Sequence, residues 1–123
     1  MEEILIASNI NFSTPDQFQG KSQAVYDLYS YLLGTLNKIG PVRETKKGIS
    51  ISLENRKAFA SAIIRNRSIK LVVRTNHRIA SPRIHSIEHV AEKSYDHTVL
   101  LESKSDIDDE LLKWLEDAYQ TSH

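Results

Sequence analysis

The apolar residues of this chain change their period twice, and that change restricts the fold more than any motif does. From Ser22 to Ile39 they recur at helical spacing, with Val25, Leu28, Tyr29, Leu32, Leu36 and Ile39 on one stripe. Ser22 is placed to accept a backbone N–H as N-cap, and Gly40-Pro41 stops the run. From Val42 the period drops to two. Ile49-Ser50-Ile51-Ser52-Leu53 alternates as a half-buried strand does. Phe59–Ile64, Ile69–Thr75 and His97–Leu101 follow as further strands, and Arg65-Asn66-Arg67-Ser68 is a gap of hairpin length. Within Ile69–Thr75, residues Ile69, Leu71 and Val73 face inward, while Lys70, Val72 and Arg74 face outward. Residues 76–96 are the longest irregular stretch, with room for a short edge strand near Ile87–Val90. Helical spacing then returns through Ile107, Leu111, Trp114, Leu115 and Ala118. Ser105 is the expected cap of this last helix, with Asp108 three residues on. Asp106, Asp108, Asp109 and Glu110 complement the positive end of its dipole.

Helices at the two ends with strands between them predict an α+β domain. Its expected form is an antiparallel sheet of four to five strands flanked by an N-terminal and a C-terminal helix. At 123 residues the chain suits one domain spanning 1–123. Residues 1–13 fit either a strand or an extended arm, and residues 13–18 fit a capped turn with Pro15 early in a helix. The chain has no cysteine, so disulfides and thiolate metal sites are excluded. Its first residues lack the basic start and long apolar run of a signal peptide, and no span approaches the ~20 apolar residues of a membrane helix. A cytoplasmic protein with no membrane association is the expectation.

The net charge of zero hides a segregation. Residues 43–93 hold twelve basic side chains against four acidic, whereas residues 94–123 hold two against eight. A basic middle of this kind suits an anion-binding face, unless the acidic tail folds back and neutralises it. Phe59 is the one aromatic side chain in that stretch, and its neighbours mark it as core. Base stacking therefore has few platforms there, and phosphate contacts or a small anion fit better than base readout.

Several short motifs touch on chemistry and none carries it. His85-Ser86-Ile87-Glu88-His89 spells H-x-x-E-H, which some zinc proteases present on one helix. Pro82 precedes it, and the residues after it are committed to a strand and a helix, so the match is read as an accident. His77, His85, His89 and His97 could converge on a metal after folding, but solvated loop histidines are far commoner. Asp106–Glu110 resembles part of a calcium loop without its glycine. Gly20-Lys21-Ser22 ends like a phosphate loop, but Pro15 stands where the first glycine is needed. No metal, cofactor or catalytic set is assigned.

Taken in order, Gly20-Lys21-Ser22, Ile39-Gly40-Pro41-Val42, Lys46 and Ile49-Ser50-Ile51 resemble the family called domain of unknown function 5655. Phe59, Ser81-Pro82-Arg83, Tyr95–Leu100 and Trp114–Tyr119 continue the match, which spans residues 18–121. The resemblance implies a small domain that stands alone or ends larger bacterial and archaeal proteins, some with nuclease-like portions. It also singles out Lys46, Arg83 and His97 as recurrent polar positions. Together they suit an anion-accepting pocket, with Lys46 as a point charge, Arg83 as a fork and His97 as a titratable donor. Each has a plainer role: Lys46 closing a turn, Arg83 pairing with the acidic helix, His97 as a partly buried strand residue.

The expected function is a binding module for an anionic ligand, with nucleic acid the first candidate and Lys46, Arg83, His97, Arg56 and Arg74 as its contacts. A protein-interaction or homodimerisation domain is the alternative. A small hydrolase or metal-dependent enzyme centred on His97 is the third reading.

Overall fold

Ser22 starts helix α1 (Gln23–Leu36) by accepting the Val25 N–H on its Oγ at 3.2 Å. The same hydroxyl donates to the Asn66 carbonyl at 2.9 Å, which ties the helix start to a turn of the sheet. Val25, Leu28, Tyr29, Leu32 and Leu36 form its buried stripe. The computed structural model describes residue 18 and residues 20–121. The arm considered for residues 1–13 lies outside the described residues. So does the capped turn, apart from Phe18, which is buried against the rings of Tyr26 and Tyr29.

Six strands follow: β1 (Arg43–Lys47), β2 (Ser50–Glu54), β3 (Ala58–Ile64), β4 (Ile69–Thr75), β5 (Ser86–Ala91) and β6 (Ser94–Leu101). All pairings are antiparallel, in the order β1-β2-β3-β4-β6-β5. Four to five strands were expected, and β1 is the one the apolar pattern does not reveal. Its sequence Arg-Glu-Thr-Lys-Lys has no apolar residue, because an edge strand can satisfy its backbone on one side and leave its side chains in water. Gly48 lets the chain turn back into β2 at φ +60°, a conformation that a side chain would strain. The edge strand for which Ile87–Val90 has room is β5, slightly longer at Ser86–Ala91, and β6 begins at Ser94, ahead of the expected His97.

The register sorts the side chains onto two faces. Glu44, Leu53, Ala60, Val73, His97 and Ile87 lie across one face. Both helices cover that face, and their stripes join Ile51, Leu71, Val99 and Leu101 in a single core. The Tyr29 hydroxyl donates to Glu44 Oε1 at 2.7 Å, fixing α1 against β1. Phe59 is left unpaired by a bulge opposite Leu53 and Glu54, and it turns into the core edge-on to Tyr119 at 5.3 Å. On the opposite face Thr45, Ser52, Ser61, Val72, Thr98 and Ser86 form a row of small side chains.

The chain then passes through a 3-10 turn (Lys104–Asp106) into α2 (Asp109–Gln120). Asp108 is the cap of α2, accepting the Leu111 N–H at 3.0 Å, so the expected cap Ser105 is displaced. Two short carboxylates divide the work. Asp106 accepts the N–H groups of Glu102 and Ser103 and closes the 3-10 turn, leaving Asp108 for the helix. No helix among the described residues is long and apolar enough to cross a membrane.

Candidate anion-binding site

The five expected contact residues fall in different places. Lys46 is an exposed residue of β1, paired across the ladder with Ile51 and not in a turn. His97 is on β6, four strand spacings away, or about 19 Å at ~4.8 Å per strand. Arg56 is exposed in the turn between β2 and β3. Arg74 lies on the open face of β4 and forks onto Asp96 of β6, with Nε to Oδ1 at 2.7 Å and Nη2 to Oδ2 at 3.0 Å. This hydrogen bonding, ahead of partial burial, holds the Arg74 guanidinium even more firmly protonated than usual.

Arg83 and His97 meet at one segment, the crossover 76–85 between β4 and β5. His97 is 0% exposed. Its Nε2 accepts the Ile79 N–H at 3.0 Å, which requires the proton to sit on Nδ1, and Nδ1–H donates to the Val73 carbonyl at 3.1 Å. Arg83 turns the other way. Its Nη1 donates to Asp108 at 2.8 Å and Glu110 at 3.2 Å, and Nη2 donates to the Asp106 carbonyl at 2.6 Å. The guanidinium also lies 5.8 Å from the Trp114 ring centre. The crossover is thus fastened to the sheet by a buried imidazole and to the start of α2 by a guanidinium. Lys46, Arg83 and His97 do not share a pocket.

The histidines of the H-x-x-E-H match also separate. Ser86–Ala91 is a strand, so His85 and His89 are about 13 Å apart at ~3.3 Å per residue, where a helix would bring them together. His89 stacks on Tyr95 at 4.4 Å. Among the described residues no three His, Asp or Glu side chains gather as a metal site.

A different cluster of cations does converge. Antiparallel pairing brings the β2–β3 turn, the end of β4 and the β5–β6 turn to the same end of the sheet. There Lys57, Arg74 and Lys93 line a pocket of about 330 Å³, together with Thr75, Asn76, Ser94 and Thr121. No carboxylate lines it among the described residues. Asp96 neutralises Arg74 from the sheet side, which leaves Lys57 and Lys93 to set the sign of the pocket. The end of α2 also borders it, and a helix C-terminus by itself repels anions. Thr121 reduces that effect, since its hydroxyl reaches the carbonyls of Asp117 and Ala118.

Beside this pocket lies a larger groove of about 730 Å³ between residues 77–80 and α2, with Trp114 in its wall. Sequence reasoning missed Lys57, Lys93 and Trp114 as site residues. The cations were visible in the basic stretch, but nothing in their spacing marked which ones share an end of the sheet. Trp114 belongs to the expected buried stripe of the last helix, yet it is half-buried.

The model of one protein family, described as Domain of unknown function (DUF5655), matches residues 14–122. No curated protein and no solved structure matches the chain at a significant level.

Proposed function

The chain belongs to the DUF5655 family, and we propose that it is a binding module for a phosphate-bearing ligand, with nucleic acid the first candidate. One observation carries this reading. Lys57, Arg74 and Lys93 arrive from three separate strands or turns at one pocket whose described lining has no carboxylate. Two ammonium groups and a guanidinium suit phosphate oxygens, and the hydroxyl of Ser94 adds a neutral hydrogen-bonding group. Arg56 stands in the same turn as Lys57 and extends the positive rim. On this reading the anion site is the end of the sheet, and Lys46, Arg83 and His97, which share no pocket, are not its centre.

The test is fluorescence anisotropy of labelled duplex DNA, duplex RNA and single strands with the purified chain across a salt series. Binding that weakens steeply with salt, and that Lys57→Glu and Lys93→Glu each reduce, supports the reading. No binding at low salt, or binding indifferent to both substitutions, removes it.

The interaction-domain reading has one observation of its own. β5 is an outer edge strand, and Val90 on it is a large apolar residue left 39% exposed. A dimeric mass in solution that Val90→Lys converts to a monomer would favour it. The hydrolase reading has no such support, because both nitrogens of the His97 ring are engaged inside the core.

A further inference from the structure

The outer edge of the sheet carries a stack of planar groups that the charge pattern does not account for. His89 of β5 and Tyr95 of β6 are paired directly across the ladder, and their rings lie 4.4 Å apart and 11° from parallel. The Arg78 guanidinium lies over the same tyrosine ring, 5.6 Å from its centre. His89 Nε2–H donates to the Glu92 carbonyl at 3.2 Å, so the imidazole is held both by its neighbour and by the turn. β5 is the outer strand and His89 is exposed, which turns the other face of its ring to solvent. Glu88 and Asp96, the next cross-strand pair, point to the opposite face of the sheet.

This platform adjoins the cationic pocket. Lys93 and Ser94 line the pocket and Tyr95 follows them, so at most about 7 Å of chain separates Lys93 from the stack. Tyr95 also pairs with Thr75, another residue of the pocket wall. Glu92 places a carboxylate in the same turn, so a phosphate belongs between Lys57 and Lys93, and what the sheet edge adds is a flat ring face. Cross-strand packing is enough to explain the contact of His89 with Tyr95. The use lies in its place beside a phosphate pocket. An unpaired base has a free face and stacks on aromatic and imidazole rings whatever its identity, whereas bases inside a duplex are covered by their neighbours. The aromatic count of residues 43–93 misses this platform, because Tyr95 lies just outside that stretch and its partner is a histidine.

We infer that the pocket and the stack together bind nucleic acid as a single strand, with a phosphate at Lys57 and Lys93 and the adjoining base on the exposed face of His89. This rests on the reading of the sheet-end pocket as a phosphate site, and it narrows the ligand from nucleic acid in general to an unpaired strand.

The full chain would be titrated by anisotropy, at low salt, with labelled deoxythymidine and uridine strands, each intact and with abasic sites, and with a duplex. An intact strand should bind at least about fivefold more tightly than its abasic form, the share expected of one stacked base. His89→Ala should remove that difference and leave the abasic strands and the duplex bound as before. His89→Phe, which keeps a ring without a titratable nitrogen, should restore it. Lys57→Glu combined with Lys93→Glu should weaken every probe. An effect confined to the uridine or to the deoxythymidine strand supports the inference and names the sugar. Equal binding of intact and abasic strands, weakened by the lysine substitutions, overturns the inference and leaves the phosphate site standing. So does a loss on His89→Ala that the abasic strands share or that His89→Phe does not restore. If no probe binds, the inference and the phosphate reading both fail.

Discussion

His97 accepts the backbone N–H of Ile79 at 3.0 Å inside the core, and through that bond the crossover from β4 to β5 is held against the sheet. The second ring nitrogen donates to Val73, so one side chain satisfies two buried backbone groups. His97→Ala leaves the Ile79 N–H without this acceptor and opens a cavity. It should cost about 3 kcal/mol or more in denaturant unfolding. A loss below about 1 kcal/mol would show that the crossover does not depend on this ring.

Asp108 supplies a pH dependence. Its carboxylate accepts the Leu111 N–H and then faces Arg83, and these favour the charged form and hold its pKa below the usual range. A carboxyl with a lowered folded-state pKa adds stability that is complete above its unfolded value, about 3.9, and is lost as pH falls through the folded value. Stability should therefore drop on acidification below about pH 4. Asp108→Asn keeps a good cap and cannot titrate, so its acid drop should be shallower. Parallel pH profiles for the two proteins would remove Asp108 from the explanation.

Gly40 is required by a tyrosine. A Cβ at this position would fall on the Tyr119 hydroxyl and stand 2.9 Å from its Cζ. That hydroxyl donates to the Pro41 carbonyl at 2.9 Å and joins the end of α2 to the start of the sheet. Gly40→Ala should destabilise by roughly 1–3 kcal/mol. Adding Tyr119→Phe should return part of the loss, because it removes the oxygen but leaves the ring carbon. A strictly additive double-mutant cycle would contradict the clash.

Arg74 borders the cationic pocket with Asp96 already on it. Asp96→Ala frees the guanidinium and removes the nearest negative charge. Anion affinity at this pocket should rise several-fold in the anisotropy assay, at a stability cost of about 1 kcal/mol or less. Unchanged or weaker binding would mean that Arg74 takes no part in holding the anion.

Much of the fold is legible in the chain because burial leaves a period. The α1 stripe, the inward Ile69, Leu71 and Val73 and the α2 stripe all follow from 3.6- and 2-residue repeats. Ser22 marks the start of α1 for a local reason, whereas α1 ends at Leu36 with Asn37 as its C-cap, short of the Gly40-Pro41 expected to stop it. β1 and β5 were hard to see because edge strands bury too little to need an apolar pattern.

The basic middle was equally plain, but its consequence was not. Sequence determined that twelve cations lie between residues 43 and 93. Only the tertiary structure decided that Arg83 answers the acidic start of α2, that Arg74 answers Asp96, and that Lys57 and Lys93 meet at one end of the sheet. The reason is physical. A helix or strand is specified by neighbours a few residues apart, whereas a charge is offset or left available by whatever strand order places within a few ångströms of it.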